Sequence, residues 1–171
     1  MRFPNLFLAF SLLLFNNHLS AQTCLAGSLT ISTQADIDNF PMDYPGCTQI
    51  LGDLTIMSDN IMNLDSLYVL TVIDGNLTIF DNFPDLTSFS GLHNLTSVGG
   101  NVVFDDVDAV PNMTGLGNLK TIGGDFDIIS CVTLKDLVGL DSLTSIGGRF
   151  YLDDNATQET LEGLISLTSI G

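Results

Sequence analysis

The sequence predicts a mainly β protein: a stack of short parallel strands, a parallel β-solenoid, with one turn for every repeat of about 24 residues. Three observations lead there. A glycine followed by alternating apolar residues recurs six times. A second block, ending in a glycine pair, recurs with the same period. Helix signals are confined to one short stretch near the N-terminus.

The glycine that opens each predicted strand is Gly27, Gly52, Gly75, Gly100, Gly124 or Gly148, at spacings of 25, 23, 25, 24 and 24 residues. The second and fourth residues after it are apolar: Leu54 and Ile56, Leu77 and Ile79, Val102 and Phe104, Phe126 and Ile128, Phe150 and Leu152. Side chains of a strand alternate between faces, so these point together into a core and their neighbours point outward. The second block runs from Gly91 to Gly100, Gly115 to Gly124, Gly139 to Gly148 and Gly163 to Gly171. Its Leu-x-x-Leu-x-x-Ile spacing predicts a coiled return path that drops one apolar side chain inward at each bend. The pairs Gly99-Gly100, Gly123-Gly124 and Gly147-Gly148 are expected to turn sharply with positive φ before each strand. One repeat cannot bury these residues alone, whereas repeats stacked about 4.8 Å apart bury them in a column.

The exception is Thr33 to Phe40. It opens on a capping residue, places Asp36 in the first turn, and is expected to stop at Pro41. A short helix here would cover the open end of the core between Cys24 and Cys47. A Cys24–Cys47 disulfide would close a loop of 24 residues and contribute about 3–4 kcal/mol. Cys131 is then left over, as a small turn or core residue, as the partner of a cysteine beyond Gly171, or as a reactive thiol.

Residues 1–21 read as a signal peptide. Arg2 is its positive start, Leu6 to Phe15 its apolar run and Ala21 its small terminal residue. That run is too short to span a bilayer, and Gln22 after the cut argues against a lipid anchor. Residues 22–171 then form one repeat domain. Gly171 falls in mid-repeat, so the chain is expected to continue beyond it. The formal charge moves from −16 to −17 as Arg2 leaves with the leader, and only Lys120, Lys135 and Arg149 remain as cations. Such a surface repels nucleic acid and anionic membranes. It suits a cationic partner, a divalent cation, or plain solubility.

No catalytic or cofactor-binding residues are predicted. His93 stands in a return segment with no second histidine in residues 22–171 for a zinc site, and no nucleophile elbow is present. Six positions after the strand glycine come Asp81, Asp106 and Asp154, with Ser58 and Ser130 in the other repeats. Asp81 and Asp106 lie in successive repeats and would repel by about 1 kcal/mol in water. Calcium would relieve this through oxygen ligands, but the serines interrupt the ladder and a solvated turn is the simpler reading. The outward strand face carries Met57, Phe80, Val103, Ile129 and Tyr151, more apolar than solubility requires, and is the candidate partner surface. Strand preference alone also favours such residues. Asn76, Asn94, Asn112 and Asn155 open glycosylation patterns, two of them simply repeat consensus.

Cys24, the capping segment, the stretch from Cys47 to Ile56 and the recurring Leu-x-x-Ile-x-Gly-x-Leu-x-Ile resemble the receptor L domain, the repeat fold of insulin- and EGF-receptor ectodomains, also found in fungal cell-wall and bacterial surface proteins. The resemblance spans nearly all of residues 22–171. It implies a right-handed β-helix-like fold, no catalytic residues, and a ligand-binding or adhesion role. The expected function is therefore an extracellular recognition or adhesion module that takes a protein or glycan partner on its sheet face. A structural surface or wall protein is the second reading. A β-helical polysaccharide-degrading enzyme is the third, which would need aligned carboxylates beside a basic group.

Overall fold

A computed structural model describes residues 23–81 and 83–171. The predicted signal peptide, residues 1–21, and the side chain of Cys24 lie outside the described residues. The chain runs through β1 (Thr23–Leu25), β2 (Leu29–Ile31), α1 (Gln34–Asp43), β3 (Gln49–Ile50), β4 (Leu54–Ile56), β5 (Val72–Ile73) and β6 (Leu77–Phe80). It continues through β7 (Ser97–Val98), β8 (Val102–Asp105), β9 (Thr121–Ile122), β10 (Phe126–Ile129), β11 (Ser145–Ile146), β12 (Phe150–Asp153) and β13 (Ser169–Ile170). Among the described residues all pairings are parallel and fall into two sheets. One has six strands in the order β12-β10-β8-β6-β4-β2, and the other has seven in the order β1-β3-β5-β7-β9-β11-β13.

The six-stranded sheet is the one expected from the alternating pattern. The seven-stranded sheet replaces what was expected to be a simple coiled return. Most of its strands are two residues long, too short to show an alternating pattern. A column of hydroxyls supports it. The Oγ1 of Thr71 donates to the Thr48 carbonyl, that of Thr96 to Thr71, that of Thr144 to Lys120 and that of Thr168 to Thr144, each at 2.9 Å.

The core lies between the sheets and the return segments. Leu54, Ile56, Leu77, Ile79, Val102, Phe104, Phe126 and Ile128 are buried, as the alternation requires, while Phe150 and Leu152 of the last described repeat are half-buried. In the return segments every third residue is buried, as in Leu134, Leu137, Leu140 and Leu143. Each such side chain contributes at most about 1.5–3 kcal/mol. Aromatic rings continue the column: Phe89 stacks on Phe104 at 4.7 Å, Phe126 meets Phe104 edge-on at 5.9 Å, and Phe150 lies 5.4 Å from Phe126.

A second ladder runs beside the strand entries. Asp53 Oδ1 accepts the Asn76 backbone N–H (2.8 Å), Asn76 Oδ1 that of Asn101 (2.7 Å), Asn101 Oδ1 that of Asp125 (2.8 Å), and Asp125 Oδ1 that of Arg149 (2.9 Å). The short polar residue after each strand glycine thus serves the next repeat's backbone, an arrangement the sequence shows once the column is read downward.

The glycine pairs do not take the positive φ expected of them. They are required by crowding instead: a Cβ on Gly123 would strike the carbonyl of Gly99, and one on Gly147 the carbonyl of Gly123. Left-handed backbone occurs at Gly115, Gly139 and Gly163, with φ of 109°, 108° and 113°, and at the strand exits Asp106, Ser130 and Asp154, with φ of 55°, 54° and 52°.

Helix α1 runs through Pro41 to Asp43 rather than stopping before it. Pro41 removes one N–H from the ladder, but the Tyr44 N–H still returns to the Phe40 carbonyl at 2.9 Å and the Phe40 and Tyr44 rings lie 5.1 Å apart. Ile37 and Phe40 are buried. Gln34 ties the helix to the next repeat, its Oε1 accepting the N–H groups of Met62 and Asn63 at 2.9 and 3.2 Å. Thr33 caps the helix: its Oγ1 accepts the Asp36 N–H at 3.1 Å, while Asp36 Oδ2 accepts the N–H groups of Thr33 and Ser32 at 2.9 and 3.1 Å.

Thr33→Ala is expected to cost about 1 kcal/mol, read as a lower denaturation midpoint. The Ser32 N–H first, then the Thr33 hydroxyl, lower the Asp36 carboxyl below its ordinary 3.8. A depressed carboxyl adds stability above its unfolded pKa, and that contribution is lost as pH falls through the folded value. Asp36→Asn should therefore narrow its stability deficit relative to the natural chain below pH 3.8. Gly123→Ala should destabilise by several kcal/mol or prevent folding, because the obstructing atom is backbone.

Candidate functional site

The outward face of the six-stranded sheet is set by register. One row reads Thr30, Thr55, Thr78, Val103, Asp127 and Tyr151, each paired with the next. A second reads Phe80, Asp105, Ile129 and Asp153. Met57 follows β4, its N–H donating to the Ile31 carbonyl at 3.0 Å. Of the five candidate residues, Phe80 and Tyr151 are each 39 % exposed, while Met57, Val103 and Ile129 are half-buried. Asp105 separates Phe80 from Ile129 and Asp127 separates Val103 from Tyr151, so apolar groups and carboxylates alternate across the face.

Sequence reasoning missed the ion pair at the β10–β12 end of this face. Asp127 points outward in the row yet is only 8 % exposed. Arg149 covers it, with Nε 3.1 Å from Oδ1 and Nη2 2.8 Å from Oδ2, and lies 3.7 Å from Asp125 as well. The guanidinium carbon sits 4.9 Å from the centre of the Tyr151 ring. The Asp127 hydrogen bond, then its charge, hold Arg149 still more firmly protonated than usual. The Tyr151 hydroxyl is raised above its ordinary value, first by its hydrogen bond to Asp153 and then by that carboxylate's charge. The missed signal was the spacing: Arg149 follows the strand glycine of one repeat, and Asp127 stands two positions further along in the repeat before.

The other singled-out residues have local roles. Asp81 and Asp106 occupy strand-exit turns with φ of 120° and 55°, a conformation aspartate tolerates better than most residues. Among the described residues no group of three or more His, Cys, Asp or Glu is placed to hold a metal ion. Cys131 is a buried free thiol, pushed up to about 11 chiefly by burial, with its sulfur 3.4 Å from the Ile129 carbonyl. It is protonated at neutral pH and packs as a small core residue. Cys47 is also buried. His93 is an exposed turn residue whose Nδ1 lies 2.6 Å from the Ser90 carbonyl oxygen. Asn155 accepts the Cys131 N–H and donates to the Ile128 carbonyl, each at 2.9 Å, and Asn94 donates to the Tyr68 carbonyl at 2.8 Å. Both carboxamides bridge repeats. Asn112 accepts the Thr114 N–H at 3.0 Å.

Among the described residues, two parallel sheets of short stacked strands, one α-helix and an outward face of mixed apolar and acidic groups make a β-repeat fold consistent with an L domain. Residues 46–114, which run from just before Cys47 past β8, match the family described as Receptor L domain, so this segment is similar to that family. No curated protein matches the chain. Among the described residues no helix is long and apolar enough to cross a membrane.

Arg149→Ala would leave the Asp127 carboxylate shielded and without its cation. It should lower the thermal midpoint, and Asp127→Asn in the same chain should recover part of the loss. Equal midpoints for the single and double variants would show that the pair does not act as a unit.

Proposed function

We propose that this chain is an extracellular, non-enzymatic recognition or adhesion module that binds a protein or glycan partner on the outward face of the six-stranded sheet. The observation that carries this reading is the half-exposure of Phe80 and Tyr151 in a sheet otherwise paired strand to strand. Aromatic side chains on a rigid face are the groups that most often carry binding energy, and the family match supplies the ligand-binding class. The two sheets and the return segments would then be the walls of a right-handed solenoid, the form that turns repeated strands into a continuous display surface.

The extracellular part of the proposal rests on the signal-peptide pattern of residues 1–21 and on the family's ectodomain setting. A Cys24–Cys47 disulfide belongs with it. β1 pairs with β3, Thr23 opposite Gln49 and Leu25 opposite Ile50, which brings the backbone around Cys24 alongside the strand that follows Cys47. Such a bond would tie the first strand of the seven-stranded sheet to the end of the helical segment.

The deciding experiment is a binding screen of the secreted chain against arrayed cell-surface proteins and glycans, repeated with Phe80→Ala and Tyr151→Ala. Each variant should weaken the partner found by about tenfold or more with the thermal midpoint nearly unchanged. Unchanged affinity in both variants would remove this face from the function.

A further inference from the structure

The chain holds a worked example of what this face can grip. On the last two strands of the sheet, a carboxylate and an aromatic ring in register, Asp127 and Tyr151, hold the guanidinium of Arg149 between them. Two strands back the same two elements recur, and no cation among the described residues pairs with them. Phe80 of β6 and Asp105 of β8 are register neighbours on the outward face. Ile129 flanks Asp105 on its other side, and Val103 stands two residues before it in the same strand. Asp106 adds a second carboxylate at the strand exit. Burial first, then the charge of Asp106, raise the Asp105 carboxyl above its ordinary value, which is the behaviour of an anion short of a counter-charge. Arg149 is committed to Asp127 and Asp125, so it does not serve Asp105.

Resting on the sheet-face reading above, we infer that the Phe80–Asp105 pair is a docking point for a basic side chain of a protein partner: a lysine or arginine in a segment with apolar flanks. The cation would lie over the Phe80 ring and against the Asp105 carboxylate, as Arg149 lies over Tyr151 and against Asp127. Ile129 and Val103 would cover the stem of the side chain and keep water from the pair. The acidic surface, formally −16 over the whole chain, raises the encounter rate of any such segment, and the Phe80–Asp105 pair decides where it settles. This chemistry separates a basic protein segment from a neutral glycan, which would gain nothing from Asp105.

The test uses a fluorescently labelled tetra-arginine peptide flanked by leucines, titrated with the protein at near-physiological salt and followed by anisotropy. Asp105→Asn should weaken binding about fivefold to tenfold, and Phe80→Ala by a similar factor. Asp141→Asn, which removes the same charge from an exposed return-segment residue, should change it less than twofold. Equal weakening by Asp105→Asn and Asp141→Asn would overturn the inference, because the attraction would then be the general field of the chain. Weakening by Phe80→Ala and Tyr151→Ala with none by Asp105→Asn would also overturn it, while leaving the sheet face as the binding surface. All four variants change outward or exposed side chains, and a thermal midpoint near that of the natural chain verifies that each remains folded.

Discussion

Everything in this molecule depends on the distance between neighbouring repeats. Parallel strands hydrogen-bonded in register sit about 4.8 Å apart, and at the corners between the two sheets the backbone of one repeat lies where the next would place a Cβ. That spacing excludes every residue but glycine at Gly123 and Gly147. It also brings each side-chain oxygen of the Asp53 to Asp125 column within reach of the amide below it, and each threonine hydroxyl within reach of the carbonyl above. The apolar column fills because the same spacing suits stacked leucine, isoleucine and phenylalanine side chains. Hydrogen bonds, glycines and core are three readings of one length.

The repeat period, the six-stranded sheet and its buried positions were legible in the sequence because each residue there has one dominant job, and alternation exposes it. The second sheet was not, since a two-residue strand such as Ser97–Val98 leaves no period to read and is defined by its neighbours rather than by itself. The glycine pairs were recognised as necessary for the wrong reason: local conformation is what a sequence suggests for glycine, whereas crowding from a residue 24 positions away is a property of the stack. Pro41 misled in the same way. A proline is expected to end a helix, but the packing of Phe40 and Tyr44 carries α1 one turn further.

The candidate site was half legible. Register arithmetic placed Met57, Phe80, Val103, Ile129 and Tyr151 on one face, and the structure keeps them there. It also interleaves them with Asp105 and Asp127, which a list of apolar positions cannot show. The pairing of Arg149 with Asp127 needed the third dimension, because the two residues are 22 positions apart and become neighbours only when repeats are stacked. The face is therefore better described as a chequer of rings, branched aliphatics and carboxylates than as an apolar patch.

The ladder of short polar side chains has a direction. Each member hands its Oδ1 forward to the backbone of the repeat that follows, from Asp53 through Asn76 and Asn101 to Asp125. At Arg149 the series changes character, because a guanidinium has no oxygen to give and this one turns backward to Asp125 and Asp127. For the evolution of length this is a grammatical rule. A repeat duplicated between Asp53 and Asp125 inherits an accepting oxygen before it and a donating N–H after it, and slips in without rewriting its neighbours. A residue stacked in register on Arg149 would meet no side-chain oxygen there, so its amide would need another acceptor.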